Sequence, residues 1–276
     1  MSSSDSAVPV LLALDTATDR IHAALSVGGQ VHALDLPGGA QASATLLPAL
    51  NGLLAEAGRV WADVDAIAFG RGPGAFTGLR TACSVTQGLA LALNKPVIAL
   101  DTLMAVAEHA RLASPSSWAE GDTLWVLQDA RMDELYVAAY RWDGHDWQQD
   151  QAPALWPLTE PAHRWAATGG QQATLRWAGN ALKVYPVQLS VLNDMAVAVA
   201  TVAAPGSIPV CAAEPAVPGG AALAALAQRA WQRGQTLDAA LALPLYVRDK
   251  VAQTTAERVA VKAALSGGTL GTISGA

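Results

Sequence analysis

"VPVLLALDTATDRIHAALSVGGQVHALDLPG", residues 8–38, decides the fold. The unbroken apolar run over residues 8–14 has the length and composition of a strand buried on both faces, and it ends on Asp15. Residues 21–27 and 31–36 are two further strand-length runs. Gly28-Gly29 between them predicts a two-residue hairpin turn, whose central positions need the positive φ that glycine accepts. The period then changes. Leu46, Leu47, Leu50, Leu53 and Leu54 fall at i, i+1, i+4, i+7 and i+8, one stripe of a helix over 41–58. "DAIAFG" as a strand, the loop "GRGPGAFTGLR" (70–80), a helix from about 78 to 93, "PVIAL" as a strand and a helix from 102 to about 112 complete the order βββαβαβα.

The order then restarts. "TLWVLQDARMDELYVAAYRWDGHDWQQDQAPAL", residues 123–155, is again a strand ending on an aspartate, Asp129, with a second strand over 135–142, a turn at Asp143-Gly144 and a third strand. Two βββαβαβα lobes from a duplication make an α/β, two-lobed, actin-like (ASKHA) fold, the architecture of actin, sugar kinases and Hsp70, which does not by itself fix a function. The expected division is a first lobe over 1–105, a divergent second lobe over 106–252 and a flexible Gly/Ser/Thr-rich tail over 253–276. Within the second half, "PLTEPAHRWAA" suits a helix, "QQATLRWAGNALKVYP" one or two strands around Gly179, and 219–234 a helix ended by glycine. Tryptophans at 118, 125, 142, 147, 156, 165 and 177 fill a core that has few phenylalanines.

Charged residues are 14% of the 276 residues and apolar residues 52%, so much apolar surface must be hidden inside or against another protein. The formal net charge of -6 argues against a nucleic-acid-binding field over the whole molecule. Arg248, Lys250, Arg258 and Lys262 are mixed with acids and read as a solvated face. Cys83 and Cys211 form no CxxC pair, which fits a reducing, cytoplasmic setting. The first apolar run stops at Asp15 and has no basic region before it, so neither a signal peptide nor a membrane span is expected.

The glycine-rich loop fails both common phosphate-loop patterns. Gly78 is followed by Leu79 and Arg80 rather than Lys-Ser/Thr, and Thr77 stands where a GxGxxG beginning at Gly72 needs glycine. Two readings remain: a tight turn at Pro73-Gly74 that buries Phe76 and starts a helix with Thr77 as N-cap, or an anion or partner contact at that helix N-terminus. "ALDTATD" puts Asp15 and Thr16 where nucleotide-using members of the superfamily carry DxGxT, with Ala17 at the glycine position. Asp15 either holds a ligand or caps its own turn. The five histidines form no HxxxH pair, there is no GxSxG, and no residue is expected to be catalytic. The helix over 78–93 has Arg80 as its only charge, so it is either a core helix or one side of a helix-to-helix interface.

Taken together, "ALDTAT", "GRGPGAFTGLR" with "QGLALALNKPVIALDTL", "DARMDELYVAAY" and "LPLYVRDKVA" resemble the TsaB (YeaZ) family from about residue 11 to 252, densely over the first 140 residues. "SIPVCAAEPAVPGG" and the tail after residue 259 look particular to this chain. The resemblance implies a non-catalytic paralogue of TsaD, the subunit that transfers threonylcarbamoyl to the adenosine next to the anticodon of ANN-decoding tRNAs. TsaD holds metal through an HxxxH on its first helix; the matching helix here, "QASATLLPALNGLL", has Ser43 and Leu47 and no histidine. Implied partners are a TsaD-type subunit and a TsaE-type ATPase, with self-association through the same surface, tRNA only through the complex, and no membrane. Implied interface residues are Leu46, Leu47, Leu50 and Leu54 on the first helix, and Leu79, Arg80, Cys83, Gln87 and Leu91 on the second. Asp15, Thr16, Gly72, Gly74, Phe76 and Thr77 line a degenerate phosphate-loop region. No cofactor of its own is implied, although an adenine nucleotide could lie at the complex interface. The alternative is an active superfamily enzyme, an ATP-dependent transferase or kinase or a peptidase.

Overall fold

In a computed structural model, which describes residues 8–166, 176–190, 192 and 216–248, the first apolar run forms β1 (Val10–Asp15), buried along its whole length. The chain returns as β2 (Arg20–Val27) and β3 (Gln30–Pro37), both antiparallel, through Gly28 and Gly29 at φ 61° and 82°. On the other side of β1 lie β4 (Ala66–Gly70) and β5 (Val97–Leu100), both parallel, giving the order β3-β2-β1-β4-β5. One face is covered by α1 (Ala42–Glu56) and α2 (Phe76–Leu93). Leu46, Leu50, Leu53 and Leu54 of α1 and Ala82, Cys83 and Ala90 of α2 close over Leu12, Leu14, Ile67 and Phe69. Each buried leucine contributes roughly 1.5–3 kcal/mol, so the stripe fixes which way α1 faces.

The second sheet repeats the first strand by strand. β6 (Thr123–Asp129) pairs antiparallel with β7 (Glu134–Trp142) on one side and parallel with β9 (Arg176–Ala178) on the other, and β8 (Trp147–Pro157) completes the order β8-β7-β6-β9. The architecture is the duplicated two-lobed α/β fold expected. The helix expected in "PLTEPAHRWAA" is α4 (Glu160–Ala166). Before Gly179 the expected strand is β9, but after it the chain forms a short helix, α5 (Ala181–Val184), so the second strand the sequence suggested is corrected. The tryptophans gather in two clusters, Trp125, Trp156, Trp165 and Trp177 on one side of the second sheet and Trp118, Trp142 and Trp147 on the other.

The two halves exchange helices. α3 (Thr102–Ala113) packs on β6 and β7, while α6 (Gly220–Gln232), which the sequence grouped with the second lobe, lies across β1 and β2. A Cβ at Gly220 would overlap the carbonyl of Ala23, so glycine permits that approach. The two helices pack on each other between the sheets around fully buried Glu108. Both its oxygens are taken by Arg111 at 2.8 Å, with Arg229 at 3.1 Å and the Trp147 indole N–H at 2.9 Å. Burial alone would raise this carboxyl; the hydrogen bonds and charges of Arg111 and Arg229 outweigh it and hold the group below the usual range. Among the described residues no helix is long and apolar enough to cross a membrane. Cys211, Lys250, Arg258, Lys262, most of "SIPVCAAEPAVPGG" and the tail over 253–276 lie outside the described residues.

Candidate functional site

The lobes face each other across a cleft of about 420 Å³, walled by the turn after β1, the glycine-rich loop before α2 and the turn after β6. At its first-lobe floor Asp15 is completely buried. Its Oδ1 accepts the N–H of Ala17 at 2.7 Å and its Oδ2 accepts the hydroxyl of Thr102 at 2.7 Å. Burial pushes this carboxyl up to about 6, against the pull of those two hydrogen bonds. Asp15 therefore caps its own turn and braces the start of α3; it does not present a carboxylate to the cleft. Thr16 is buried beside it, its hydroxyl donating to the carbonyl of Gly78 at 2.7 Å.

The glycines of "GRGPGAFTGLR" are explained by what they touch. A Cβ at Gly78 would overlap the carbonyl of Thr16, one at Gly70 would overlap the Asp15 carboxyl, and one at Gly74 would lie 2.5 Å from the Ala17 Cβ. The loop is pressed into the β1 turn, and the Ala75 N–H bonds the Ala17 carbonyl at 2.7 Å. In this way the two loops fill each other's space. The expected N-cap at Thr77 is corrected: α2 begins at Phe76, its N-cap is Ala75 with extended backbone, and no side chain caps it. The Ala17 contact pins Ala75 there, which leaves Thr77 inside the first turn and exposed. Phe76, half-buried, stacks on Tyr246 with ring centroids 5.0 Å apart.

Across the cleft Asp129 ends β6 as Asp15 ends β1, and its Oδ1 likewise accepts the N–H two residues on, that of Arg131, at 2.7 Å. The same oxygen takes the Tyr185 hydroxyl at 2.8 Å. Beyond this cap the two turns diverge: Arg131, Met132 and Asp133 all have left-handed backbone, at φ 64°, 58° and 57°. For residues with a Cβ this costs roughly 1–2 kcal/mol each. The turn presents Met132, 54% exposed, to the cleft. Arg248, expected on a solvated face, instead has a side chain only 11% exposed and binds the carbonyls of Ala130 and Arg131 at 2.9 and 3.2 Å. Sequence reasoning missed this role, although "LPLYVRDK" and "DARMDELY" were both conspicuous as motifs.

The helical face needs a sharper correction. Leu46, Leu50, Leu54, Leu79 and Cys83, expected at a partner interface, are buried in the chain's own core because the leucine stripe is the side of α1 and α2 that meets the sheet. Burial raises the Cys83 thiol to about 11. Gln87 is half-buried, its amide donating to the Ala242 carbonyl at 3.2 Å. Of the expected set, Leu47, Arg80 and Leu91 face outward, with Leu47 41% and Leu91 69% exposed. Around them stand Ala44, Pro48, Gly52 and Ala55 on α1 and Ser84, Gly88 and Ala92 on α2. Each helix carries one charged residue, Glu56 and Arg80. The outer surface of this pair is small, apolar and nearly uncharged, suited to close approach by other helices.

A family model described as TsaD, tRNA N6-adenosine threonylcarbamoyltransferase, matches residues 39–256. The tRNA threonylcarbamoyladenosine biosynthesis protein TsaB of Escherichia coli (strain K12) is 30% identical over 245 residues, 88% of this chain and 96% of that protein. The protein of the same description from Haemophilus influenzae is 39% identical over 131 residues, 46% of this chain and 52% of its own length. Among solved structures, YeaZ from Pseudomonas aeruginosa superimposes with a TM-score of 0.67 at 32% identity, over 86% of this chain and 99% of that one.

Proposed function

The chain belongs to the TsaB (YeaZ) family, and we propose that it is a non-catalytic scaffold subunit in threonylcarbamoyladenosine formation on tRNA. It pairs with a TsaD-type catalytic subunit and works with a TsaE-type ATPase in the cytoplasm; tRNA is reached only through the complex. The observation that carries this reading is the outward surface of α1 and α2, where Leu47 and Leu91 stand among small residues with almost no charge. An exposed surface of this composition is unfavourable in water and is what a helix-on-helix partner would cover.

The first-lobe floor supports the non-catalytic part. The aspartate that in a nucleotide-using relative would face metal is here buried, with both oxygens bonded within the chain. The loop that would cradle phosphate is packed against Ala17 and Thr16. An adenine nucleotide, if the complex binds one, would then be held chiefly by the partner. Self-association through the same helices competes with that partner.

Reconstitution tests the proposal. A TsaD-type subunit, a TsaE-type ATPase, threonylcarbamoyl-AMP and an ANN-decoding tRNA are combined with and without this chain. Modified adenosine should form at least about tenfold faster with it, and Asp15→Asn should leave that gain intact. An unchanged rate would end the scaffold reading, and ATP turnover by the isolated chain that is lost in Asp15→Ala would replace it with an active enzyme.

A further inference from the structure

The segment after α6 passes in turn over β5, α2 and the glycine-rich loop of the first lobe. Leu237 exchanges backbone hydrogen bonds with Val97 at 2.8 and 2.9 Å, and the Ala242 carbonyl takes Gln87 of α2. Leu245 then donates its N–H to the Arg71 carbonyl at 2.7 Å. Gly72, at φ 115°, lies directly under it: a Cβ there would come within 2.8 Å of the Leu245 carbonyl. Tyr246 stacks on Phe76 and accepts the Arg80 Nε–H at 3.3 Å, while the Arg80 guanidinium lies 3.8 Å from the Phe76 ring centre.

Two residues later the segment crosses to the other lobe. Arg248 gives two N–H bonds to the carbonyls of Ala130 and Arg131, approaches the Met132 sulfur at 3.0 Å and pairs with Glu134. These groups belong to the left-handed turn over 131–133 and the residues on either side of it, and Ala130, Arg131 and Met132 line the cleft. Both ends of the contact belong to cleft walls. The first lobe is gripped at its glycine-rich loop and the second at its strained turn.

We propose that residues 243–248 are a latch that fixes the opening of the cleft by tying the glycine-rich loop of the first lobe to the left-handed turn of the second, with Arg248 as the positioning residue. The latch explains why Gly72 must be glycine although no phosphate-loop pattern uses it. It also braces the left-handed turn: Nη2 of Arg248 donates to both carbonyls and Nη1 approaches the Met132 sulfur, so one planar guanidinium spans the start of the turn. The device is independent of what occupies the cleft or the outer helical face.

Hydrogen exchange on the full-length chain, read by mass spectrometry, tests it with Arg248→Ala, Arg248→Lys and Tyr246→Ala. Arg248→Ala should speed exchange at least tenfold both at 129–134 and, across the cleft, at 71–79, while β1 and residues 123–128 of β6 keep wild-type protection. Tyr246→Ala, which cuts the first-lobe end, should loosen 129–134 as well. Arg248→Lys keeps the charge but not the planar guanidinium, and should loosen the same two segments by a smaller factor. Faster exchange confined to 129–134 would make Arg248 a local brace and overturn the latch, as would no change at either segment. If Arg248→Ala loosens the entire chain, the lysine variant decides: coupled loosening of the two segments upholds the latch, and uncoupled loosening removes it.

Discussion

Asp15 and Asp129 stand at equivalent places in the two lobes and have different surroundings. Each ends the central strand of its sheet, and each accepts the N–H of the residue two positions on at 2.7 Å. Around Asp15 the chain has closed: Gly70, Gly74 and Gly78 let the next loop press into the turn, and Thr102 takes the remaining oxygen. Around Asp129 the carboxylate is buried too, its side chain 4% exposed with Arg131 and Tyr185 on its oxygens, but the turn that follows is not packed over: it is left-handed, exposes Met132 and is bonded by Arg248. Duplication kept the strand and its cap. The residues that each lobe placed after the cap decided whether that wall of the cleft became packing or remained surface.

The strongest way to break this contrast is to add one methyl group. Gly78→Ala drives a Cβ into the Thr16 carbonyl and should cost about 3 kcal/mol or more in denaturant unfolding. Gly88→Ala, ten residues along the same helix with open space around it, should stabilise by up to about 1 kcal/mol. Equal effects would mean that the loop is not pressed into the turn.

The buried carboxyl gives a smaller effect. Because Asp15 has its pKa raised from an ordinary 3.8 to about 6, the folded chain holds that proton more tightly than the unfolded one. Stability from this group is therefore full below about pH 4 and is lost as pH rises toward 6, by roughly 3 kcal/mol in all. Asp15→Asn should flatten that part of the pH dependence relative to wild type. The smallest effect sharpens the other side: Met132→Gly relieves left-handed strain at φ 58° but loosens the unfolded chain, so unfolding should shift by no more than about 1 kcal/mol, toward greater stability.

Much of the fold was legible in the sequence. Strand and helix order in the first lobe came from Gly28-Gly29, the leucine stripe and the closing aspartates, all local signals. The stripe was also where reading by pattern misled. Leu50 and Leu54 are as apolar as an interface requires, but periodicity names a face without saying whether sheet or partner lies against it, and here it was the sheet. Leu47 and Leu91, off the buried side, were the informative leucines. Thr77 failed as N-cap because a backbone bond to Ala17, 58 residues earlier in the chain than Ala75, sets where the helix starts. Arg248 was illegible for the same reason, its carbonyl partners lying 117 and 118 residues away, and so was the link of Glu108 to Arg229, 121 residues on; only the Glu108–Arg111 pair has helical spacing.

The proposed function puts partner binding on the outer surface of α1 and α2. The direct measurement is the affinity of the full-length chain for its TsaD-type subunit, comparing wild type with the double variant Leu47→Asp, Leu91→Asp, with thermal unfolding of each recorded alongside. Both leucines are exposed, so the double variant should melt as wild type does, yet bind at least about a hundredfold more weakly because two carboxylates would be buried unpaired. A folded double variant that binds as tightly as wild type would contradict the assignment of this surface to the partner.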